Sequence, residues 1–256
     1  MNICIDVGNS TIGIGAFENN KLVERMVVNT DPHFTEDEFY QLFKKPFAHI
    51  EKGRGSVEHI IYSSVVPQVN LPLLNALKKL VNVEPLLIAP GTKTGLAIKV
   101  DNPLEIGNDL IADLVGAKEK YSYPTIIVDL GTASKILILD KNGVFCSCAI
   151  MPGLALSATS LTNKTALLPE VSLEAPKTVL AKNTVDAMNV GIVLGHAYMI
   201  NGLVKRYEEE LGYKCKHILT GGNAIYLNEV VDESFIYDIN LTLDGLNLLI
   251  RKNEAK

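Results

Sequence analysis

The sequence predicts an α/β fold built from two related halves, and three observations carry that expectation. Strand-length apolar runs alternate with helix-length amphipathic segments along the chain. One strand–turn–strand pattern occurs twice, about half a chain apart. No low-complexity tract or long linker interrupts the alternation.

The repeat is the most informative of the three. Asn2 to Val7 is a short apolar strand running into Asp6-Val7-Gly8-Asn9-Ser10-Thr11, and a second apolar run, Ile12 to Phe17, follows at once. Thr125 to Asp129 runs in the same way into Asp129-Leu130-Gly131-Thr132-Ala133-Ser134, with Ile136 to Leu139 behind it. Asp129 stands 123 positions after Asp6 in a chain of 256 residues. Each copy then turns, at Glu18-Asn19-Asn20 and at Asp140-Lys141-Asn142-Gly143. The Asn-Asn and Asn-Gly pairs tolerate the positive φ that tight hairpins require. One Asp-x-Gly turn is common, whereas two in equivalent hairpins at half-chain spacing mark a duplication. The halves are set at residues 1–118 and 119–256.

The remaining elements follow from periodicity and caps. A helix is expected over 35–43, opened by a capping box in which Thr35 precedes Glu38 by three. A strand is expected at His59–Ser63, a helix at Asn70–Val81 and a strand at Pro85–Ala89. Asn108–Tyr121 reads as an amphipathic helix with Leu110, Ile111, Leu114 and Val115 on one face. Further helices are expected at Ser157–Thr162, Asn183–Leu211 and Ala224–Val230. Lys216–Leu219 reads as a strand that ends in Thr220-Gly221-Gly222-Asn223.

Composition narrows the partners. Apolar residues make up 47% and charged residues 21%, which is ordinary globular composition. Twenty-four Lys and Arg against 29 Asp and Glu give a net charge of −5. That balance offers no general attraction to nucleic acid or to an anionic membrane. No run approaches the roughly 18 apolar residues of a membrane helix. The opening MNICIDVGNS lacks a signal pattern. Cys4, Cys146, Cys148 and Cys215 fit no disulfide framework or zinc spacing. The expectation is a cytoplasmic protein with neither nucleic-acid nor membrane partners. The five His are scattered without metal-ligand spacing, and His196 reads as a satisfied core or interface residue.

A strand-end Asp followed by Gly and a hydroxyl or amide residue suits a nucleotide's phosphates. The Gly admits backbone amides to the oxygens, the hydroxyl donates, and the carboxylate takes Mg²⁺ directly or through water. Alternatively, Asp6 and Asp129 merely satisfy turn amides, and the repetition weighs toward function. Gly221-Gly222 at a strand–helix junction either admits a flat base or sugar or is a structural turn. Asp109 at the start of its helix is either a helix cap or first-turn acid favoured by the dipole, or a general base for an attacking alcohol, and the pattern alone favours the cap.

Eight blocks stand in order along the chain: Asp6 to Ser10, Ser64-Val65-Val66-Pro67, Asn102 to Asp109, Asp129 to Ala133, Pro152-Gly153-Leu154, Lys182 to Met188, Leu219 to Ala224, and Leu241 to Leu246. Together they resemble the type III pantothenate kinases over nearly the whole length. The resemblance implies two ribonuclease-H-like halves around a nucleotide cleft, the fold of the acetate kinase, sugar kinase and actin superfamily. It implies transfer of the ATP γ-phosphoryl group to the primary hydroxyl of pantothenate, the first step of coenzyme A biosynthesis. It also implies Mg²⁺, a monovalent cation (K⁺ or NH₄⁺), and a homodimer with the acceptor pocket near the subunit interface. Carried over by position, Asp6 and Asp129 become the phosphate and metal carboxylates. Gly8, Asn9, Ser10, Gly131, Thr132, Gly221 and Gly222 become nucleotide-binding residues, and Asp109 the general base. Thr184 becomes a polar acceptor contact, with Val100, Gly107 and Leu110 on the acceptor side.

The departures from the family pattern fall mainly on that side. The base motif usually runs Gly-x-Asp-Arg, and here Leu110 follows Asp109. A Tyr is common nine residues before the base, where this chain has Val100. Ser147-Cys148 replace a Gly-Gly pair, and Gly-Thr-Ala-Thr-Thr appears as Gly131-Thr132-Ala133-Ser134-Lys135. Lys135 reads first as a solvated strand residue and second as an added cation near phosphate. Three readings therefore stand: a pantothenate kinase with a variant pocket, a same-fold kinase of a different small alcohol, and a non-catalytic nucleotide-binding regulator. Calorimetric titration with pantothenate separates the first from the others. ATP turnover against a panel of alcohols separates the second from the third.

Overall fold

Both Asp-x-Gly hairpins lie at the centre of a sheet, and five strands of the second sheet repeat the five of the first, with β6 added at its edge. A computed structural model describes residues 1–254, without the side chains at 51, 53 and 54. In chain order the elements are β1 (Asn2–Val7), β2 (Thr11–Glu18), β3 (Lys21–Asn29), α1 (Glu36–Arg54), β4 (His59–Ser64), α2 (Pro67–Leu80), β5 (Leu86–Leu87) and β6 (Ala97–Ile98). There follow α3 (Asn108–Tyr121), β7 (Thr125–Leu130), β8 (Ala133–Leu139), β9 (Val144–Pro152), α4 (Leu154–Lys164) and α5 (Thr184–Asn189). A π-helical turn leads from α5 into α6 (Gly195–Leu211), and β10 (Lys216–Thr220), β11 (Phe235–Tyr237) and α7 (Leu241–Glu254) complete the chain.

The first sheet has the order β3-β2-β1-β4-β5, and the second β11-β10-β7-β8-β9-β6. Reading the second backwards from β9 gives the same sequence of pairings. Two antiparallel contacts (β9 with β8, β8 with β7) precede two parallel ones (β7 with β10, β10 with β11). In the first sheet these correspond to β3–β2, β2–β1, β1–β4 and β4–β5. The duplication read from the two Asp turns is therefore a duplication of whole sheets.

The chain divides into two units, Met1–Leu96 with Asp101–Gly116 and Asn240–Lys256, and Ala97–Val100 with Ala117–Ile239. The division after residue 118 differs from this chiefly at the C-terminus, because α7 packs in the first unit. In that unit, alternate residues of β1 and β2 (Ile3, Ile5, Val7, Ile12, Ile14) bury against Phe39, Phe43 and Phe47 of α1 and Val69, Leu73 and Leu77 of α2. The period of two on the strands meets a period near 3.6 on the helices, so each element presents one apolar face. The opposite sheet face receives α7, with Leu243 beside Gly15. α7 crosses α3 at bare backbone, where a Cβ on Gly245 would stand 1.9 Å from the Ala112 carbonyl oxygen. A hydrogen bond of 2.6 Å from Thr242 Oγ1 to Asp113 Oδ1 fixes the crossing.

In the second unit, Ile126, Val128, Leu130, Ile136 and Ile138 bury with Leu154, Met188, Ile192, Val193, Ala197, Ile200 and Val204 from the helices. The continuous helical stretch Thr184–Leu211 is long and apolar enough to cross a membrane by length and composition, which individual apolar runs did not suggest; half of its most apolar window is buried inside the protein. Its buried side chains supply the unit's core, as a core helix does. The helix expected over Ala224–Val230 is a single 3₁₀ turn, Ala224–Tyr226. The helix expected over 35–43 continues to Arg54, and β5 is only two residues long.

Candidate active site

In the first unit the half-buried Asp6 sits one residue from the end of β1. Register places Ser63 of β4 on one side of it and Gly13 of β2 on the other. Residues paired in register project to the same sheet face, so the three form a row. The Ser63 hydroxyl donates to Asp6 Oδ1. On the other side Gly13 brings no side chain to the row, and a Cβ there would meet nothing within 4 Å. The turn after the strand is braced at its backbone. Gly8 N–H donates to the Thr11 carbonyl (2.9 Å), Thr30 Oγ1 donates to the Gly8 carbonyl (2.7 Å), and Thr30 N–H donates to the Ser10 carbonyl (3.0 Å). Asn9 and Ser10 are exposed on its outside.

The same edge receives the start of α3. Val65 N–H donates to the Val7 carbonyl (3.0 Å), and Asn108 Nδ2 reaches the Ser64 carbonyl at 3.5 Å. Asp109, in the first turn of α3, folds back over Gly107, with Oδ1 2.5 Å from where a Cβ on residue 107 would lie. Leu110, next in sequence, is buried. Asp6, the 8–10 turn and Asp109 are thus assembled on one edge of the unit through Ser63, Ser64 and Asn108.

The second unit carries the matching row. Asp129 of β7 lies in register between Lys135 of β8 and Thr220 of β10. Here the carboxylate is bonded toward β8, with Lys135 Nζ 2.7 Å from Asp129 Oδ2 and only 17% and 11% of the two side chains exposed. Thr220 is fully buried and its Oγ1 has no hydrogen-bond partner among the described residues. Gly221 has φ +93°, and a Cβ there would stand 2.5 Å from both Asp129 Oδ1 and Leu130 N. Only glycine fits that left-handed, crowded position. Asn223 Nδ2 donates to the Gly131 carbonyl (3.0 Å) and Gly153 N–H to the Thr132 carbonyl (3.1 Å), clasping the 131–132 turn from both sides. Beneath it, on the other sheet face, His196 Nε2 lies 2.8 Å from Ser134 Oγ. Burial lowers the His196 pKa and keeps the imidazole neutral, as expected for a core histidine.

The other candidates are dispersed. Gly222 is an exposed turn residue, Val100 is half-buried beyond β6, and Thr184 is exposed at the head of α5 behind its cap Asn183. Asp6, Gly8, Asn9, Ser10, Gly107, Asp109 and Leu110 belong to the first unit, and Val100, Asp129, Gly131, Thr132, Thr184, Gly221 and Gly222 to the second. Sequence reasoning missed Ser63 and Thr220, whose only signal was a hydroxyl residue at the end of the strand that pairs with each Asp strand.

Among the described residues no three His, Cys, Asp or Glu side chains converge. A divalent cation would therefore take one carboxylate, phosphate oxygens and water, the usual arrangement for Mg²⁺ at a nucleotide. Asp6, half-buried beside the side-chain-free Gly13, fits that role. Asp129 fits it poorly, because an ammonium at 2.7 Å from Oδ2 repels a second cation there.

A sequence model of the type III pantothenate kinase family matches residues 2–206. The chain belongs to that family. A type III pantothenate kinase from Exiguobacterium sibiricum is 39% identical over 254 residues, covering 99% of this chain and all of that one. One from Brevibacillus brevis is 36% identical over 255 residues, covering both chains completely. Membership makes the chain a kinase with an alcohol acceptor and ATP as donor, as the ordered motifs implied. Among solved structures, a conserved putative Baf family transcriptional activator from Campylobacter jejuni aligns with TM-score 0.63 at 19% identity, covering 99% of this chain and 100% of that one. The ethanolamine utilization protein EutJ from Carboxydothermus hydrogenoformans aligns with TM-score 0.58 at 13% identity, covering 96% and 89%. These likenesses concern the fold, and with the two repeated sheets they agree with the duplicated ribonuclease-H-like architecture.

Proposed function

We propose that this protein transfers the γ-phosphoryl group of ATP to the primary hydroxyl of pantothenate, the first step of coenzyme A biosynthesis. The observation that carries the reading is the paired rows, each an Asp beside a glycine-containing phosphate turn, in a chain of this family. In the first unit the amides and hydroxyl of Asn9 and Ser10 are the phosphate contacts; in the second they are those of Gly131 and Thr132, with the open backbone of Gly222, beyond the Gly221 turn, for the nucleoside. Asp6, oriented by Ser63, would hold Mg²⁺, which would supply charge neutralisation at the phosphate oxygens. Asp109 takes the proton from the acceptor hydroxyl as the new P–O bond forms, and Thr184 contacts the acceptor. Alignment and charge neutralisation suffice, without a covalent enzyme intermediate. A monovalent cation, K⁺ or NH₄⁺, belongs to the same reading.

The working form is a homodimer. Leu161, Leu167, Leu180, Val185, Tyr198 and Met199 of the second unit are exposed, Leu167 to 92%. Large apolar side chains left exposed in this number suit cover by a second copy. Four free cysteines and a net charge of −5 support a cytoplasmic protein that binds neither nucleic acid nor membrane.

Leu110 favours a second reading in which the acceptor is less anionic, since a buried leucine offers a carboxylate no partner. Both readings are tested by following ADP formation and the phosphorylated product by mass spectrometry, with pantothenate and with panthenol, its uncharged alcohol analogue. A kcat/KM for pantothenate at least tenfold above that for panthenol supports the first. The reverse order supports the second, and turnover of neither rejects both.

A further inference from the structure

Each row sets an Asp beside a hydroxyl residue of the parallel neighbour, Ser63 or Thr220, and the rows differ in kind only on the antiparallel side, Gly13 against Lys135. In the first unit Gly13 brings no side chain beside Asp6, and Asp6 is bonded to the hydroxyl on the parallel neighbour. In the second unit Lys135 fills the equivalent flank, holds Asp129 at 2.7 Å, and leaves the buried Thr220 hydroxyl without a partner among the described residues. A carboxylate so engaged is an anchor for an ammonium.

We propose that Lys135, held by Asp129, is a resident cation of the second phosphate turn, binding a nucleotide phosphate directly in place of a metal ion on Asp129. The inference deepens the kinase reading and rests on it. Three features of the row support it. Lys135 and Asp129 are both largely shielded from water, so their charges are weakly screened. The turn that follows Thr220 carries Gly222, which is exposed and where a Cβ would meet nothing within 4 Å, so its backbone is open to an anion. Thr220 Oγ1, buried in the same row, is a hydroxyl donor with its hydrogen bond still to make. An ammonium fixed by a carboxylate is also pre-oriented, so less side-chain freedom is lost when phosphate arrives. The consequence is specific: the second unit's turn retains affinity for phosphate without divalent metal.

The test is calorimetric titration with ADP, in EDTA and in Mg²⁺, on the wild-type chain, Lys135→Met and Lys135→Arg. Wild type is expected to bind ADP in EDTA. Lys135→Met is expected to lose about 10- to 150-fold of that affinity, the worth of a charge-assisted hydrogen bond, and to recover part of it in Mg²⁺. Lys135→Arg is expected to stay within a few-fold of wild type. If Lys135→Met does not fold, Lys135→Gln against Lys135→Arg makes the same comparison. Equal affinity of the folded uncharged variant and wild type in EDTA overturns this inference alone. A wild-type chain that takes up no ADP in either buffer overturns the kinase reading and the inference together.

Discussion

The Asp109 carboxylate occupies the space that a side chain at Gly107 would fill, with Oδ1 2.5 Å from the position of a Cβ there. The crowding atom is the end of a side chain, so Gly107→Ala displaces the carboxylate and leaves the backbone in place. Misplacing a catalytic group by about 1 Å costs on the order of 10²-fold in rate. Gly107→Ala is therefore expected to lower kcat by about that factor, with ATP affinity and thermal midpoint close to wild type. Unchanged kcat would mean that the position of Asp109 does not matter to the reaction.

Ser63 orients Asp6 through its hydroxyl. A hydrogen bond to a charged group contributes about 1.5–3 kcal/mol. In Ser63→Ala the carboxylate loses that restraint, and KM for Mg·ATP should rise about tenfold or more while KM for the acceptor stays put. Steady-state kinetics with each substrate varied in turn checks the split. Equal rises in both constants would make Ser63 a general structural residue.

The repeat was legible because its signal is local: Asp, Gly and a hydroxyl on adjacent positions, twice. What places Ser63 against Asp6 and Lys135 against Asp129 is strand register, which depends on long-range pairing and leaves no local trace. Lys135 accordingly read as a solvated strand residue, and only its position opposite Asp129 changes that. Helix α1 was cut short at Phe43 because Lys44, Lys45 and Pro46 look like an ending. Phe47 and Ile50 continue the buried stripe of Phe39 and Phe43, and that burial outweighs the proline. Helix α7 was missed since Gly245 weakens helix propensity. Its reason lies in another part of the chain, at the Ala112 carbonyl that a side chain would strike. Asn108–Tyr121, read from its apolar periodicity, matched residue for residue.

Gly221→Ala is expected to destabilise the second unit. A side chain at φ +93° carries strain of about 1–3 kcal/mol, and its Cβ meets Leu130 N at 2.5 Å besides. At roughly 2–4 °C per kcal/mol for a chain of this size, the thermal midpoint should fall by several degrees or more. A midpoint within 1 °C of wild type, by the same approximate scale, would show the turn to be slack.

His196 supplies a pH dependence. Burial lowers its folded pKa below the ordinary 6.5, so below that pH the unfolded chain takes a proton that the folded chain resists. Its contribution to stability is complete above 6.5 and is lost as pH falls below it, until the folded imidazole itself protonates. His196→Gln, which can still reach Ser134, should flatten the decline of thermal midpoint on the acid side. An unaltered slope would assign the acid sensitivity to other groups.

Asp109→Asn tests the proposed chemistry most directly, because it removes the base and keeps the side chain's shape. The measurement pairs the rate of pantothenate phosphorylation with ATP affinity by calorimetry, on wild type and variant. The account requires turnover to fall by about 10²–10⁴-fold while ATP affinity stays within a few-fold. Wild-type turnover in Asp109→Asn would make Asp109 a first-turn acid of α3 and would contradict the account.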